Sequence, residues 1–563
     1  MVSINTEKNE KFIFSSILIF FGISAFPQIA QDKYWVSFTD KIGTPFTLEQ
    51  PEDYLSPRSI ARREAQGIQI DSLDLPVNPA YVIAVRDMGV EILNVSKWLN
   101  GVTIYTTNPN IINDISQLNF VNSVSKSKKK KGKNKNSLEP MPYFDSNFNL
   151  REAESSDYFD YGLCIDQIYI HNGQVLHNEG FRGEGMLIAI TDAGFQGYDL
   201  PAFDSIRNNN QVVGTKNFLN KTESVFNYSE HGMNVLSILA GNIPGQLIGS
   251  APYANYLLLV TEDAASEQII EEINWSCGAE YADSAGADLI SVSLGYFDYD
   301  FPNWSHSVAE LDGNTAWVSR AANVAVGRGM IVVVAAGNNG DEEIPYISMP
   351  GDSYEVVTVG AVGADSIRAD FSSIGPTSDG RIKPDVCAIG YNTYCQQSFG
   401  GVWPGSGTSF ATPVMSGLIA CLWQAHPEMN RYEVISAVIN AGNMFSNPDN
   451  FMGAGIPNFQ IAHNNLSNVK YLNTGSDCKL FIAPNPFSDS ISLSIRNLSS
   501  TSFTILITSI DGKALYADEF TASNTQEANL VIHDLSLQGN GMYLLHLDAD
   551  NIHITRKIVK TGK

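Results

Sequence analysis

Three polar residues stand where a side chain can do chemistry as well as shape the chain. Asp192 follows the apolar run MLIAI in the segment ITDAGF. His231 opens the helix-like stretch HGMNVLSILA. Ser409 lies in GSGTSFATPVMSG, between a glycine-rich turn and a helical pattern in which Val414, Leu418, Cys421 and Leu422 share one face. Singly, each has an ordinary explanation: an aspartate after a strand makes a turn, a histidine at a helix start caps it, and a serine before a helix is an N-cap. Together they are the parts of nucleophilic catalysis. A serine hydroxyl attacks poorly until a base takes its proton. Histidine, titrating near neutrality, is that base. A carboxylate fixes the imidazole tautomer and stabilises the imidazolium without taking the proton itself. A serine that begins a helix also brings its backbone N–H and the helix dipole toward a developing oxyanion. Pro413 is expected in the first turn of that helix, where a missing N–H costs little.

Such groups must be gathered by a scaffold, and the sequence between them describes one. Short apolar runs recur at Met186–Ile190, Asn255–Val260, Leu289–Leu294, Ile331–Ala336 and Val356–Val362. Helical stretches such as HGMNVLSILA and AWVSRAANVAVGRG separate them. Strands apolar on both faces, alternating with helices, predict a mostly parallel sheet covered on both sides, a doubly wound α/β fold. Ligands of such folds sit outside the carboxyl ends of the strands, which is where Asp192 would lie.

The segments ITDAGF, HGMNVLSILAG, ADLISVSLG, VVVAAGNNG and GTSFATPVMSG resemble, in order, the signature blocks of the subtilisin-like serine peptidases, the subtilases. The chain order Asp, His, Ser is that of subtilisin. The resemblance implies a secreted serine endopeptidase, made as a zymogen, that hydrolyses peptide bonds through an acyl-enzyme. It implies that Asp192, His231 and Ser409 form the triad and that Asn338 of AAGNNG contributes to the oxyanion hole. Ser293, Leu294 and Gly295 of SVSLG match the substrate-binding strand, to whose edge an extended peptide would add. Ala335, Ala336 and Gly337 match one wall of the pocket for the residue before the scissile bond. Two blocks depart from the pattern. Ala193 stands where the family usually has Thr or Ser, and Met233-Asn234 stand where it usually has Thr-His. These departures are the support for an alternative, a weak or inactive surface-binding protein on a subtilase scaffold. An esterase of the α/β-hydrolase type does not fit, because the serine lies in GTSFA rather than GxSxG and the histidine precedes it.

The flanks gain meaning from the same comparison. Residues 31–125 occupy the place of a subtilase propeptide, a folding aid and intramolecular inhibitor expected as a small α+β unit. Seven lysines fall within KSKKKKGKNK, Lys126–Lys135; like charges this dense predict a solvated linker, placed at 126–155. The peptidase domain is expected over 156–465 and a second linker over 466–479. Residues 480–563 alternate with period two and predict a β-sandwich. Their APNPF, SIDGK, GMYLL and RKIVK segments resemble the C-terminal sorting domain of type IX secretion cargo, which implies passage through that machinery across a Gram-negative outer membrane.

Bulk composition agrees with export. Lys8 and Lys11 precede the apolar run Phe12–Phe26, too short for a comfortable membrane span, so residues 1–30 read as a signal peptide. No later run is long and apolar enough to span a bilayer. A total of 35 basic against 60 acidic side chains gives a net charge of −25, which repels nucleic acid and anionic membranes. Six cysteines are present, and export permits disulfides, with Cys387 and Cys395 able to close a small loop. No Cys/His spacing suggests zinc. The chemistry requires no cofactor. Subtilases often hold structural calcium, yet no calcium loop is legible in this sequence.

Overall fold

Alternation of side chains on each strand decides what every layer of this molecule packs against. The computed structural model describes residues 32–124 and 156–560, except 220–223, 301–303, 344, 473–477, 484–486, 488–489, 497, 499, 510–512, 523–526, 533–540 and 550–551. The expected signal peptide and lysine-rich linker lie outside the described residues. Among the described residues, no helix is long and apolar enough to cross a membrane.

The N-terminal unit is an antiparallel sheet of β1 (Lys33–Phe38), β2 (Glu91–Ser96), β3 (Gly101–Tyr105) and β4 (Val121–Val124), in the order β2-β3-β1-β4. Two helices, Pro79–Asp87 and Pro109–Ser116, pack on it. Each begins with an asparagine cap followed by proline: the Asn78 and Asn108 side chains accept from the Ala80 and Asn110 N–H groups at 2.9 and 3.2 Å. Tyr34, Val36 and Phe38 of β1 join Val85, Ile112 and Ile115 of these helices in one core. Trp35, on the other face of the strand, joins a different core that belongs to the central domain.

That central domain carries a seven-stranded sheet. Its strands are β5 (Leu187–Asp192), β6 (Val212–Asn217), β9 (Asn255–Val260), β10 (Leu289–Val292), β11 (Ile331–Ala335), β12 (Val357–Val362) and β13 (Val386–Ile389). A two-residue ladder, β7 (Asn242–Ile243) with β8 (Leu247–Ile248), and a hairpin, β14 (Thr393–Gln396) with β15 (Val402–Gly405), lie apart from it. The order is β13-β12-β11-β10-β5-β9-β6 and every paired neighbour is parallel. From β5 the chain crosses to the edge strand β6, returns through β9, and then passes to the other side of β5 and runs outward through β10, β11, β12 and β13, so the direction of winding reverses between β5 and β10, where a doubly wound sheet opens its crevice. Ile188, Ile190 and Leu258 point to the face covered by the helices His231–Ala240 and Thr408–Ala425. Leu187, Ala189 and Leu257 point to the face covered by Ile270–Ala285 and Trp317–Gly327. Strands β6 and β13 were not expected from sequence: one carries Gly214, Thr215, Lys216 and Asn217, and the other is four residues long.

The C-terminal unit is all-β, as its alternation predicted. Strands β16 (Lys479–Ala483), β17 (Ile491–Arg496) and β20 (Glu527–Ile532) form one sheet. Strands β18 (Ser502–Ser509), β19 (Ala514–Thr521), β21 (Gly541–Ala549) and β22 (Ile552–Lys560) form the other. Inward-facing Ile491, Ile495, Ile505, Ile507, Leu545 and Leu547 make their shared core.

Two expectations need correction. The helix Phe459–Leu472 runs through the stretch expected to be linker from 466, because Phe459, Ala462 and Leu466 follow helical spacing into the main core. The loop-closing Cys387–Cys395 disulfide is not formed: all six thiols are free and buried. Cys395 packs in the main core and Cys387 in a separate small cluster beside Ile389 and Ile456.

The N-terminal unit is fastened to the central domain by buried charge. Arg62 and Arg63, on the helix Pro57–Ala65, reach Asp283 at 2.5 and 2.9 Å, and Lys97 approaches the same carboxylate at 3.4 Å. Arg63 also pairs with Asp74 at 2.7 Å, and Arg328 closes the network onto Asp74 and Asp71 at 3.0 and 2.9 Å. Burial alone would raise the Asp283 carboxyl, but Arg62, Lys97 and Arg63 outweigh it and hold it below the usual carboxylate range. At the β2–β3 turn, Glu280 accepts from the Ser96 hydroxyl and from the Lys97 and Trp98 N–H groups at 2.8 and 3.0 Å.

Two histidines buried in the central domain set a pH limit. The Nε2 of His177 lies 3.0 Å from the Ser250 carbonyl and so carries the proton, leaving Nδ1 to accept from the Tyr161 hydroxyl at 2.8 Å. Burial pushes both His171 and His177 down to about 4. A histidine lowered in the folded state leaves the unfolded chain binding more protons between its two pKa values. The stability it contributes is therefore complete above about 6.5 and is lost as pH falls toward about 4. His177→Gln removes this sensitivity. In denaturant titrations, the stability gap between parent and variant should shrink by about 3 kcal/mol from pH 7 to pH 4; a gap independent of pH contradicts the assignment.

Candidate active site

Asp192 ends β5, fully buried at the mouth of the crevice. Its Oδ1 accepts from its neighbour Ala193 N–H at 2.7 Å and faces His231 Nδ1 at 2.8 Å. His231 is the first residue of its helix, and its N–H donates to the Ser229 hydroxyl at 3.2 Å. The approach of this helix to β5 depends on Gly232: a Cβ there would lie 2.5 Å from the Gly194 carbonyl oxygen and 2.8 Å from the Asp192 Cβ. The His231 ring faces outward enough to be about one-third exposed, with side-chain exposure of 34% against 0% for Asp192. A ring held at Nδ1 by a buried carboxylate has its tautomer fixed and presents Nε2 as the basic atom.

Ser409 is the second residue of the helix Thr408–Ala425, whose N-cap is Gly407. The ring of the next residue, Phe410, lies 6.1 Å from the His231 ring, so this helix start and the histidine share one mouth. In this conformation the Ser409 hydroxyl donates to the Ser293 carbonyl at 3.1 Å, while the Ser293 hydroxyl donates to the Ser409 carbonyl at 2.8 Å. The second bond explains a proline. Pro413 sits six residues into the helix rather than in its first turn, so the Ser409 carbonyl lacks its i+4 donor. Ser293 supplies the missing hydrogen bond.

Asn338 stands just past β11 and is exposed at the same mouth. Its Oδ1 accepts from the Thr408 N–H at 2.9 Å and from the Thr408 hydroxyl at 3.0 Å, which leaves Nδ2 as its free donor end. That nitrogen would lie 3.6 Å from a Cβ at Gly407, against the turn that leads into Ser409.

Ser293, Leu294 and Gly295 follow the end of β10 rather than extending it. Ala336 and Gly337 follow β11. Ser348 lies between the two segments: its side chain would meet a Cβ at Gly295 at 2.6 Å and one at Gly337 at 2.3 Å. Gly337 has φ +103°, a backbone that only glycine adopts without strain. Its N–H donates to Thr408 Oγ1 at 3.2 Å, which ties this wall to the Ser409 helix.

The residues that depart from the family pattern have structural explanations. The Ala193 methyl offers no donor, and Asp192 Oδ2 is buried with no hydrogen-bond partner among the described residues. Met233 is fully buried in the main core. Asn234 donates from Nδ2 to the Gln396 carbonyl at 2.6 Å and so anchors the helix to the β14 hairpin. The sequence reading did not identify Ser348 or the Thr408 clamp on Asn338; Thr408 lies inside the GTSFATP block, but nothing marks Ser348 in one sequence.

Comparison with known proteins assigns each of the three units. Residues 183–455 match the subtilase family, residues 33–140 match the peptidase S8 propeptide domain of Bacteroidota, and residues 481–561 match a secretion system C-terminal sorting domain. Serine protease AprX of Bacillus subtilis is 29% identical over 320 residues, covering 51% of this chain and 67% of that protein. Subtilisin NAT of Bacillus subtilis subsp. natto is 28% identical over 291 residues, covering 51% and 68%. The solved self-cleaved protease domain of PatA overlaps 51% of this chain and 98% of its own, with a TM-score of 0.41 and 25% identity. Residues 183–455 thus form a subtilase-family serine protease domain, carried between a peptidase S8 propeptide domain and a secretion system C-terminal sorting domain.

Proposed function

We propose that Asp192, His231 and Ser409 act as the triad of a secreted endopeptidase, cleaving polypeptides through an acyl-enzyme. The observation that carries this reading is the 2.8 Å contact between His231 Nδ1 and the buried Asp192, beside the first turn of the helix that holds Ser409. A χ1 rotation turns the Ser409 hydroxyl from the Ser293 carbonyl to His231, which takes the proton as Oγ attacks the substrate carbonyl. The protonated ring then gives that proton to the leaving amine, and water repeats the cycle on the ester. Asn338 Nδ2 and the Ser409 N–H stabilise the oxyanion. Base, nucleophile and oxyanion donors all belong to the chain, so this reaction needs no cofactor.

Peptide substrate adds beside Ser293–Gly295, with Ala336 and Gly337 walling the pocket. The N-terminal unit serves as intramolecular inhibitor; its buried ion pairs with Asp283 and its seat on Glu280 support that role. The sorting tail hands the protein to the type IX machinery after a signal peptide has carried it across the inner membrane.

Ser409→Ala should lower kcat by about a millionfold, the scale known for the nucleophile of subtilisin, and leave thermal unfolding unchanged. Peptide cleavage that survives this substitution contradicts the proposal. Asn338→Ala should lower kcat by about a hundred- to a thousandfold, the effect known for a subtilisin oxyanion-hole asparagine, with KM little changed. A loss confined to KM would assign Asn338 to ground-state binding instead.

A further inference from the structure

Gly295 and Gly337 stand on the two segments that flank Ser409, and a glycine on each side of a groove ordinarily leaves room between them for a long side chain. In this chain that room is taken. A Cβ at Gly295 would lie 2.6 Å from the Ser348 Cβ and 3.0 Å from its Oγ, and a Cβ at Gly337 would run into the same Oγ. Ser373 Oγ stands 2.9 Å from that second position. The two glycines are therefore demanded by Ser348, whose side chain occupies the interval between the walls.

Ser348 cannot easily move aside. Its N–H donates to the Ala336 carbonyl at 2.9 Å, which ties it to the wall that follows β11. The next residue, Met349, exchanges two backbone hydrogen bonds with Tyr296, at 3.0 and 2.9 Å, which ties the same segment to the wall that follows β10. Just before it, the Tyr346 ring stacks on Phe297 with centroids 3.8 Å apart, and the Tyr346 hydroxyl donates to Asp298 at 2.9 Å. A floor fastened to both walls moves only if backbone hydrogen bonds break, and an unpaired backbone group in a buried place is costly.

We propose that Ser348 is the floor of the pocket for the residue before the scissile bond, and that it restricts this residue to a small side chain such as that of alanine or serine. The inference rests on the endopeptidase reading above, with substrate lying beside Ser293–Gly295. A leucine or phenylalanine side chain would need the place that Ser348 holds, and forcing added methylenes into filled space distorts what surrounds it. Ser348, Ser373 and the wall residues 293–295 and 335–337 carry no charge. A lysine or aspartate would lose its water there without gaining a partner.

The test uses the mature secreted protein and chromogenic peptides identical except at the residue before the scissile bond, which is alanine, serine, leucine, phenylalanine or lysine. A single methylene in a binding pocket changes kcat/KM by about 10- to 200-fold, so the alanine peptide should exceed the phenylalanine peptide at least tenfold. In Ser348→Gly the phenylalanine-to-alanine ratio of kcat/KM should rise at least tenfold, because the floor drops. Should the variant not fold, the ranking of the parent decides. A parent that prefers leucine, phenylalanine or lysine, or a Ser348→Gly protein with the parent's ranking and ratio, overturns the inference and leaves the endopeptidase reading standing. A parent that cleaves none of the peptides overturns both.

Discussion

The contact between a buried carboxylate and a partly exposed imidazole, Asp192 Oδ1 to His231 Nδ1 at 2.8 Å, is the constraint on which the rest of the arrangement depends. It requires a strand that ends inside the protein and a helix whose first residue meets that end. The crevice beside β5, where the strand order reverses, provides the first. Gly232 provides the second, because any side chain there would collide with the Gly194 carbonyl and with Asp192 itself. The Ser409 helix is positioned against the same crevice by reciprocal hydroxyl–carbonyl bonds with Ser293, one of which satisfies the carbonyl that Pro413 leaves without a donor. The site is thus assembled from strand ends and helix starts, the places where backbone donors and acceptors remain free for chemistry.

The same logic governs the attachment of the N-terminal unit. Its sheet has two apolar faces. Tyr34 and Val36 face its own helices, while Trp35 and Trp98 face the core that lies beneath Ile270–Ala285 and Trp317–Gly327. Around this apolar contact, Arg62, Arg63 and Arg328 meet Asp283 and Asp74 away from water. Buried pairs of this kind add little net stability over an apolar contact, but losing one partner leaves an uncompensated charge and costs about 3–5 kcal/mol. They fix where the unit sits, which suits a segment that has to fold onto one surface and no other.

Much of this was legible in the sequence, and the failures have physical causes. Strands β5 and β9 to β12 were visible because both of their faces are buried and their residues are continuously apolar. Strand β6, at the sheet edge, is half polar, and β13 is an apolar run of only four residues closed by Asp385 and Gly390, whereas the run around the equally short β10 continues to Leu294. The end of the Phe459 helix was missed because a polar stretch, NNLSN, hides the buried Leu466. The triad candidates were named from motifs that each lie within a few residues. The meeting of Ser348 with Gly295 and Gly337 draws on three separate segments, and no spacing announces it. The Arg62–Asp283 pair joins residues 221 positions apart. Groups that meet only through tertiary packing leave no local trace in a single sequence.

The most direct measurement is reaction of the mature secreted protein with a fluorophosphonate, followed by mass spectrometry of the labelled peptide. The account predicts one label, on Ser409 in GTSFATP, lost in His231→Ala and accompanied by loss of peptidase activity. Label on a different residue, or an active peptidase that takes up no label, contradicts it.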